Sequence, residues 1–221
     1  MRILVVEDEQ RLAEALVAAL RDAGFVVEHA ADGERALSLG SVEPYDAIVL
    51  DLGLPKLDGV TVLERWRAKG VRTPVLVLTA RGRWPEKLSA FSAGADDYVT
   101  KPFEMQEVVV RLRALIRRAQ GFASPELRCG PLRMDTSSGE VSVDGVPVRL
   151  TAQELRILEY LLHRAGRIVT RSEIIDHAYD GDFDRDSNVI DVLVSRIRRK
   201  LGVDLIETVR GLGYKLRAPA E

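Results

Sequence analysis

Two architectures in series are predicted: an α/β domain with a doubly wound, five-stranded parallel sheet in the order 2-1-3-4-5, then an α+β winged helix-turn-helix domain. Three observations carry that expectation. Apolar runs of four or five residues alternate with amphipathic helical stretches over residues 1–119. Most of these runs end in polar or turn-forming residues, as strands buried on both faces do. Beyond residue 125 the period changes to short alternating strands, three helices and a terminal hairpin.

Residues 3–6 form the first strand, with Glu7-Asp8-Glu9 at its carboxyl end. Leu12, Leu16, Ala19 and Leu20 then recur at helical spacing, and Gly24 stops that helix. Val26–Ala30 is the second strand, and Asp32-Gly33 turns into a second helix. In Ala47–Asp51 four apolar residues run into one carboxylate, and Leu52-Gly53-Leu54-Pro55 breaks the extended chain. Asp58-Gly59 opens a helix carrying Val62, Leu63 and Trp66, which Gly70 ends. Val75–Thr79 is the fourth strand. Pro85 suits the first turn of a helix over 85–93, where its missing N–H costs nothing. Residues 97–99 are a short fifth strand, and 103–118 a helix with Val108, Val109, Leu112, Leu115 and Ile116 inward. In the order 2-1-3-4-5 strands one and three are neighbours, so Glu7, Asp8 and Asp51 converge at the switch point, where open α/β sheets bind ligands.

Residues 120–125, small and polar, read as a linker between a domain at 1–119 and one at 126–218. In the second domain, 132–134, 140–143 and 148–150 are expected as antiparallel strands, with turns at Ser138-Gly139 and Asp144-Gly145. Thr151 with Glu154 three residues later is a capping box opening a helix with Leu155, Leu158, Leu161 and Leu162. Arg171–Ala178 is a second helix, 180–186 a loop with four aspartates, and 188–201 a third helix. Residues 205–209 and 214–217 form a hairpin around Arg210-Gly211-Leu212-Gly213.

Composition narrows the function. Charged residues make up 30% of the chain but its net charge is only −2, so a nucleic-acid surface has to be a local patch. Cys129 is the single cysteine, which excludes an intrachain disulfide and fits a reducing compartment. The N-terminus turns acidic too early for a signal peptide, and no apolar run reaches membrane-spanning length. A soluble, cytoplasmic protein with no membrane partner is expected.

Asp51 alone would be an ordinary acid at a strand-to-loop turn; its company changes that reading. Like charges 4 Å apart repel by about 4 kcal/mol at an effective dielectric of 20. A hard divalent cation such as Mg²⁺ removes the conflict among Glu7, Asp8 and Asp51. Thr79 and Lys101, from the ends of strands four and five, offer a hydroxyl and an ammonium to an anion beside the metal. Together these groups suit phosphoryl transfer onto an aspartate, where positioning and charge neutralisation do the catalysis.

Glu7-Asp8, Asp51, Thr79-Ala80 and Lys101-Pro102 resemble the receiver domain of bacterial two-component response regulators. The resemblance implies a phosphoacceptor at Asp51. It implies Mg²⁺ ligands at Asp8 and Asp51, with Glu7 acting through water and Gly53 through its carbonyl. It also implies switch residues at Thr79 and Tyr98, a phosphate-binding Lys101, and a cis peptide before Pro102. Residues 191–201 and Thr208-Val209-Arg210-Gly211-Leu212-Gly213-Tyr214 resemble the winged-helix half of the OmpR/PhoB subfamily, so the resemblance spans the chain. Asp51-Leu52-Gly53-Leu54-Pro55, Arg65-Trp66-Arg67 and residues 92–103 are similar to PhoP-type regulators in particular. The implied protein is a phosphorylation-controlled transcriptional regulator and not an enzyme. Its partners would be a sensor histidine kinase, double-stranded DNA in direct-repeat half-sites, RNA polymerase, and a second copy of itself when phosphorylated.

In the third helix of the second domain, Ile190, Val194, Ile197 and Leu201 form an apolar seam. The opposite face holds Asn188, Val192, Ser195, Arg196 and Arg199. A charge run usually marks a solvated face, but in a helix-turn-helix it suits the major groove. These residues, with Arg198 and, at the wing tip, Arg210, are the expected DNA-binding set. For the dimer the family implies pairs between subunits, Lys87 with Glu107, Asp97 with Arg111 and Asp96 with Arg118, around an apolar centre of Leu88, Phe91 and Val109. Two other readings compete. A phosphatase of the haloacid dehalogenase type needs a second acid two residues after the nucleophile, where Gly53 stands here. A receiver using its winged helix only as a protein adaptor would not need Arg196, Arg199 and Arg210. His29, His163 and His177 lack ligand spacing and read as structural.

Overall fold

The structure is a computed structural model that describes residues 1–79, 84–179 and 188–217, without the side chains of 84–87. The acidic loop expected over 180–186, Ala80, the Lys87 side chain and residue 218 lie outside that description. The chain forms two compact units, Arg2–Ala119 and Gln120–Glu221, the second also taking in Met1. Among the described residues no helix is long and apolar enough to cross a membrane.

The first unit runs β1 (Arg2–Val6), α1 (Gln10–Asp22), β2 (Val26–Ala30), α2 (Gly33–Val42), β3 (Ala47–Asp51), α3 (Gly59–Ala68), β4 (Val75–Thr79), α4 (Trp84–Ser92), β5 (Asp97–Thr100) and α5 (Met105–Ala119). Its strands are parallel in the order β2-β1-β3-β4-β5, as predicted. Helices cover both faces, so every residue of β3 and β4 is buried. The register pairs Val6 with Leu50 and Asp51 with Leu78, which brings the carboxyl ends of β1, β3 and β4 level. α5 begins at Met105, two residues later than expected.

Helix α3 starts hard against the end of β3. Asp58 caps it by accepting from the Thr61 N–H at 3.0 Å. The Gly59 N–H donates to the Leu52 carbonyl at 3.1 Å. A Cβ on Gly59 would come within 2.3 Å of the Asp51 carbonyl oxygen, so only glycine permits this approach.

The second unit runs β6 (Glu126–Cys129), β7 (Leu132–Asp135), β8 (Val141–Val143), β9 (Val146–Pro147), α6 (Ala152–His163), β10 (Ile168–Val169), α7 (Arg171–Ala178), α8 (Val189–Leu201), β11 (Ile206–Val209) and β12 (Gly213–Leu216). A four-stranded sheet, β6-β7-β8-β9, precedes three helices, and a second sheet has the order β10-β12-β11. Three details correct the sequence reading. β6 was not anticipated; it alternates, with Leu127 and Cys129 buried opposite Met134 and Leu132. β10 has only two residues and too little pattern to register. The strand expected at 148–150 lies at Val146–Pro147, because Asp144 and Gly145 both take positive φ, 49° and 77°. That two-residue turn puts Val146 directly opposite Val143. The Thr151 capping box is present, and Thr170 with Glu173 forms a second one at the start of α7.

Gly59→Ala is expected to destabilise the first unit by about 1–3 kcal/mol through overpacking against β3. Both tryptophans, Trp66 and Trp84, lie in that unit, so urea unfolding followed by tryptophan fluorescence measures the loss.

Candidate functional site

Five side chains meet at the carboxyl edge of the parallel sheet because their strands end there. Glu7 and Asp8 follow β1, Asp51 ends β3, Thr79 ends β4, and Lys101 follows β5. Glu7, Asp51 and Thr79 are buried and Asp8 is exposed. The Lys101 ammonium donates to Glu7 Oε2 at 2.7 Å and to Asp51 Oδ2 at 2.8 Å. Asp51 Oδ1 accepts from the Gly53 N–H at 3.2 Å, and Glu7 Oε1 from the Glu9 N–H at 3.3 Å. His29 Nε2 lies 2.8 Å from the Glu7 backbone oxygen, which fixes the β1 end from the neighbouring strand. The peptide between Lys101 and Pro102 is cis, as the family resemblance implied.

The electrostatics follow from the burial. Burial pushes the Glu7 carboxyl above its ordinary value, and the nearby Asp51 charge adds to that while Lys101 opposes it. Burial pulls the Lys101 ammonium down, but the Asp51 and Glu7 carboxylates outweigh it and hold it above its ordinary value. One oxygen each from Glu7, Asp8 and Asp51 lies within 4.8 Å of the others. Three carboxylates against one ammonium leave a negative cluster of oxygen donors, a set that fits a hard divalent cation.

Behind this edge, Tyr98 packs against the core and meets Phe91 edge to face at 5.6 Å between centroids. Leu88 and Phe91 are exposed, as the expected dimer face requires. Val109 is not: it is only 5% exposed, on the inward side of α5, while its neighbour Val110 is 57% exposed. The acids of that face have partners within the chain. Arg111 bonds Asp97 at 3.0 Å and Glu107 at 2.7 Å. Asp96 accepts from Arg67 at 2.9 Å and from the Val75 N–H at 2.8 Å. Arg118 donates weakly to the Ala114 carbonyl at 3.3 Å.

In the second unit, Ile190, Val194, Ile197 and Leu201 form the buried seam of α8, and Leu193 joins them. Asn188, Val192, Ser195, Arg196 and Arg199 are exposed together on the other side, and Arg210 is exposed at the hairpin. Arg198 departs from the expected DNA-binding set. It donates to the Ile206 carbonyl at 2.9 Å and to Thr208 Oγ1 at 2.7 Å, so it ties α8 to β11. Sequence reasoning missed two further ties. Asp191 accepts from Arg171 at 2.8 Å and from the Tyr214 hydroxyl, joining α7, α8 and β12. Buried Glu154 accepts from Lys200 at 2.6 Å, fixing the far end of α8 to the start of α6. Acid and cation are distant in sequence in each, so no local pattern announces them. His163 lies edge-on to Phe122 and His177 stacks on Tyr160.

Comparison with known proteins adds an independent observation. Residues 3–113 match the family described as response regulator receiver domain. Residues 145–216 match that described as transcriptional regulatory protein, C terminal. The chain is 44% identical over 218 residues, 97% of each chain, to the two-component response regulator PhoP of Pseudomonas aeruginosa. It is 41% identical over 220 residues, the full length of both, to the response regulator protein PmrA of the same organism. Among solved structures, the receiver domain of Francisella response regulator 1452 is similar at a TM-score of 0.52 and 34% identity, over 53% of this chain and 98% of that one.

Lys200→Met leaves the Glu154 carboxylate buried without its cation and is expected to cost about 1–3 kcal/mol, less than a fully buried pair because Lys200 is partly exposed. Burial would raise the Glu154 carboxyl, but Lys200 and the Thr151 N–H hold it below its ordinary 4.5. The stabilisation is therefore fully present above about pH 4.5 and is lost as pH falls through the lower folded-state value. Amide exchange of α8 between pH 7 and pH 3 reads both effects, and the acid-side loss should flatten in the variant.

Proposed function

The chain belongs to the two-component response regulators that join a receiver domain to a DNA-binding transcriptional effector, and from that premise we propose that Asp51 accepts the phosphoryl group from a sensor histidine kinase. The observation that carries this reading is the ammonium of Lys101, just after β5, shared between Glu7, just after β1, and Asp51, at the end of β3. Asp51 is the acid that ends the central strand, with Lys101 on one carboxylate oxygen and the Gly53 N–H on the other. In the proposed step an Asp51 oxygen attacks phosphorus, the bond to the donor imidazole breaks, and the electron pair leaves with that imidazole. Mg²⁺ would be held by Asp8, Asp51 and the Gly53 carbonyl, with Glu7 through water; it would neutralise charge on the phosphoryl oxygens. Lys101 would move from Asp51 to a phosphoryl oxygen, and the Thr79 hydroxyl would donate to another. Thr79 drawn toward the phosphate opens space beside β4, which Tyr98 would fill.

The effector half, placed at 126–218 after a linker at 120–125, would read DNA in the cytoplasm as direct-repeat half-sites. Asn188, Val192, Ser195, Arg196 and Arg199 would face the major groove and Arg210 the minor groove, with Arg198 holding the hairpin to α8. RNA polymerase is a further proposed partner. Phosphorylation would promote pairing of two copies across α4, β5 and α5, with Leu88, Phe91 and Val110 at the centre. Lys87 with Glu107, Asp97 with Arg111 and Asp96 with Arg118 would cross between subunits.

Asp51→Asn is expected to abolish labelling by acetyl phosphate in the presence of Mg²⁺, and stoichiometric labelling of that variant would sink the assignment. On DNA selected from a random pool, Arg196→Ala should cost about 1–3 kcal/mol and relax preference at one base pair.

For the dimer, Asp97→Arg and Arg111→Asp should each prevent beryllofluoride-dependent dimers in sedimentation, and the double exchange should restore them in part. Normal dimers in both single variants would rule the face out.

A further inference from the structure

The tip of the β11–β12 hairpin presents a side chain that the proposed DNA-binding set leaves out. Leu212 is 55% exposed, with Arg210 and Gly211 exposed beside it and Gly213 buried behind it. The backbone here has one shape. The Leu212 N–H donates to the Val209 carbonyl at 3.0 Å and closes a four-residue turn. Gly211, at φ 75°, takes the third position of that turn, which in a type II turn requires the left-handed region. Gly213 lies where a Cβ would come within 2.1 Å of the Val169 carbonyl oxygen, so β12 is pressed against the end of β10.

Both glycines flanking Leu212 thus answer a backbone requirement, and the leucine between them answers none. It holds no place in the buried core of its unit. A large apolar side chain on a fixed, projecting turn loses hydration cost only when something covers it. Val192, 46% exposed on α8, has the same character on the face assigned to the major groove, where thymine methyls would cover it. The hairpin tip needs a different cover. Minor-groove walls are deoxyribose, and proteins that enter this groove use apolar side chains beside their arginines.

We propose that Leu212 is a DNA-contacting residue that seats its side chain against the deoxyribose walls of the minor groove beside Arg210, supplying a part of the binding that does not depend on salt. The proposal rests on the reading of this hairpin as a DNA-binding wing. Arg210 and Leu212 occupy the second and fourth positions of one turn, so they arrive together but act differently. The cation follows the negative potential of the groove and displaces counterions. The leucine excludes water from the sugar faces.

The test uses the full-length chain with beryllofluoride and a duplex selected by it from a random pool, titrated across a salt series. Leu212→Ala should bind about fivefold more weakly at every salt concentration, as expected for uncovering roughly half a leucine. Its slope of log affinity against log salt should stay that of the wild type. Leu212→Met should recover most of the affinity, and Arg210→Ala should shallow the slope by about one. Wild-type affinity in Leu212→Ala overturns the proposal, even where Arg196→Ala still weakens binding and so upholds the DNA reading. A loss in Leu212→Ala with the shallower slope of Arg210→Ala also overturns it, since the leucine would then only shape the turn for the arginine. A wild-type chain that binds no duplex overturns the wing reading and this proposal together.

Discussion

The shared ammonium of Lys101 is the interaction on which the receiver half depends. Two buried carboxylates, Glu7 and Asp51, end neighbouring strands and point into one space, with Asp8 beside them. Each like-charge pair there is worth about 4 kcal/mol of repulsion at 4 Å. An ammonium bonded to both acids returns attraction of the same order, so the fold tolerates the cluster without removing its negative excess. That residual charge suits the edge to a further hard cation. The rest of the sheet serves this placement: the parallel register of β1, β3 and β4 brings their carboxyl ends level.

The surface of α4, β5 and α5 proposed for pairing shows a second balance. Asp97 and Glu107 already bond Arg111 within the chain, and Asp96 already bonds Arg67 and the Val75 N–H. Partly exposed pairs of this kind contribute about 0–1 kcal/mol each. Exchanging an internal pair for one across a two-fold axis is therefore close to neutral. In the proposed pairing such contacts would set register and exclude wrong partners, and the net attraction would come from covering Leu88, Phe91 and Val110. A face balanced in this way would respond to a small push of a few kcal/mol, the size the proposed phosphorylation step would have to supply.

Most of the receiver was legible because parallel-sheet strands write themselves as short apolar runs, and their ends name the site. Asp51, Lys101 and Thr79 can be placed at strand ends from the sequence, since that position is a one-dimensional property. The errors have a common origin in direction. The sequence alone allows Val109 both in the inward seam of α5 and on its outer face, but a helical side chain serves one face, and the step of about 100° separates buried Val109 from exposed Val110. Arg198 belongs to a basic run, yet it stands next to the seam, and the hairpin that reaches it is fixed only in three dimensions. The ties of Asp191 to Arg171 and of Glu154 to Lys200 are hidden from the sequence for the same reason, because these cations come from distant elements. β6 and β10 were too short, or too close to the linker, for alternation to stand out.

The effector half raises a different question, because it holds 15 Lys and Arg against 16 Asp and Glu from residue 126 onward. A protein whose DNA-binding unit has almost no net charge cannot rely on long-range attraction to the duplex. The arrangement of its acids shows how a local surface is made. Glu154 is buried against Lys200, and Asp191 is turned toward Arg171 and Tyr214, so neither acid opposes the exposed side of α8. Arg198, turned to the hairpin, spends its donors on structure. On the side of α8 away from the seam, Arg196 and Arg199 are exposed with Val192 and Ser195, and Asn188 stands exposed at its N-cap. If this is the surface that meets DNA, few phosphates would be neutralised, and a shallow salt dependence with a large share of contact from bases and sugars would follow.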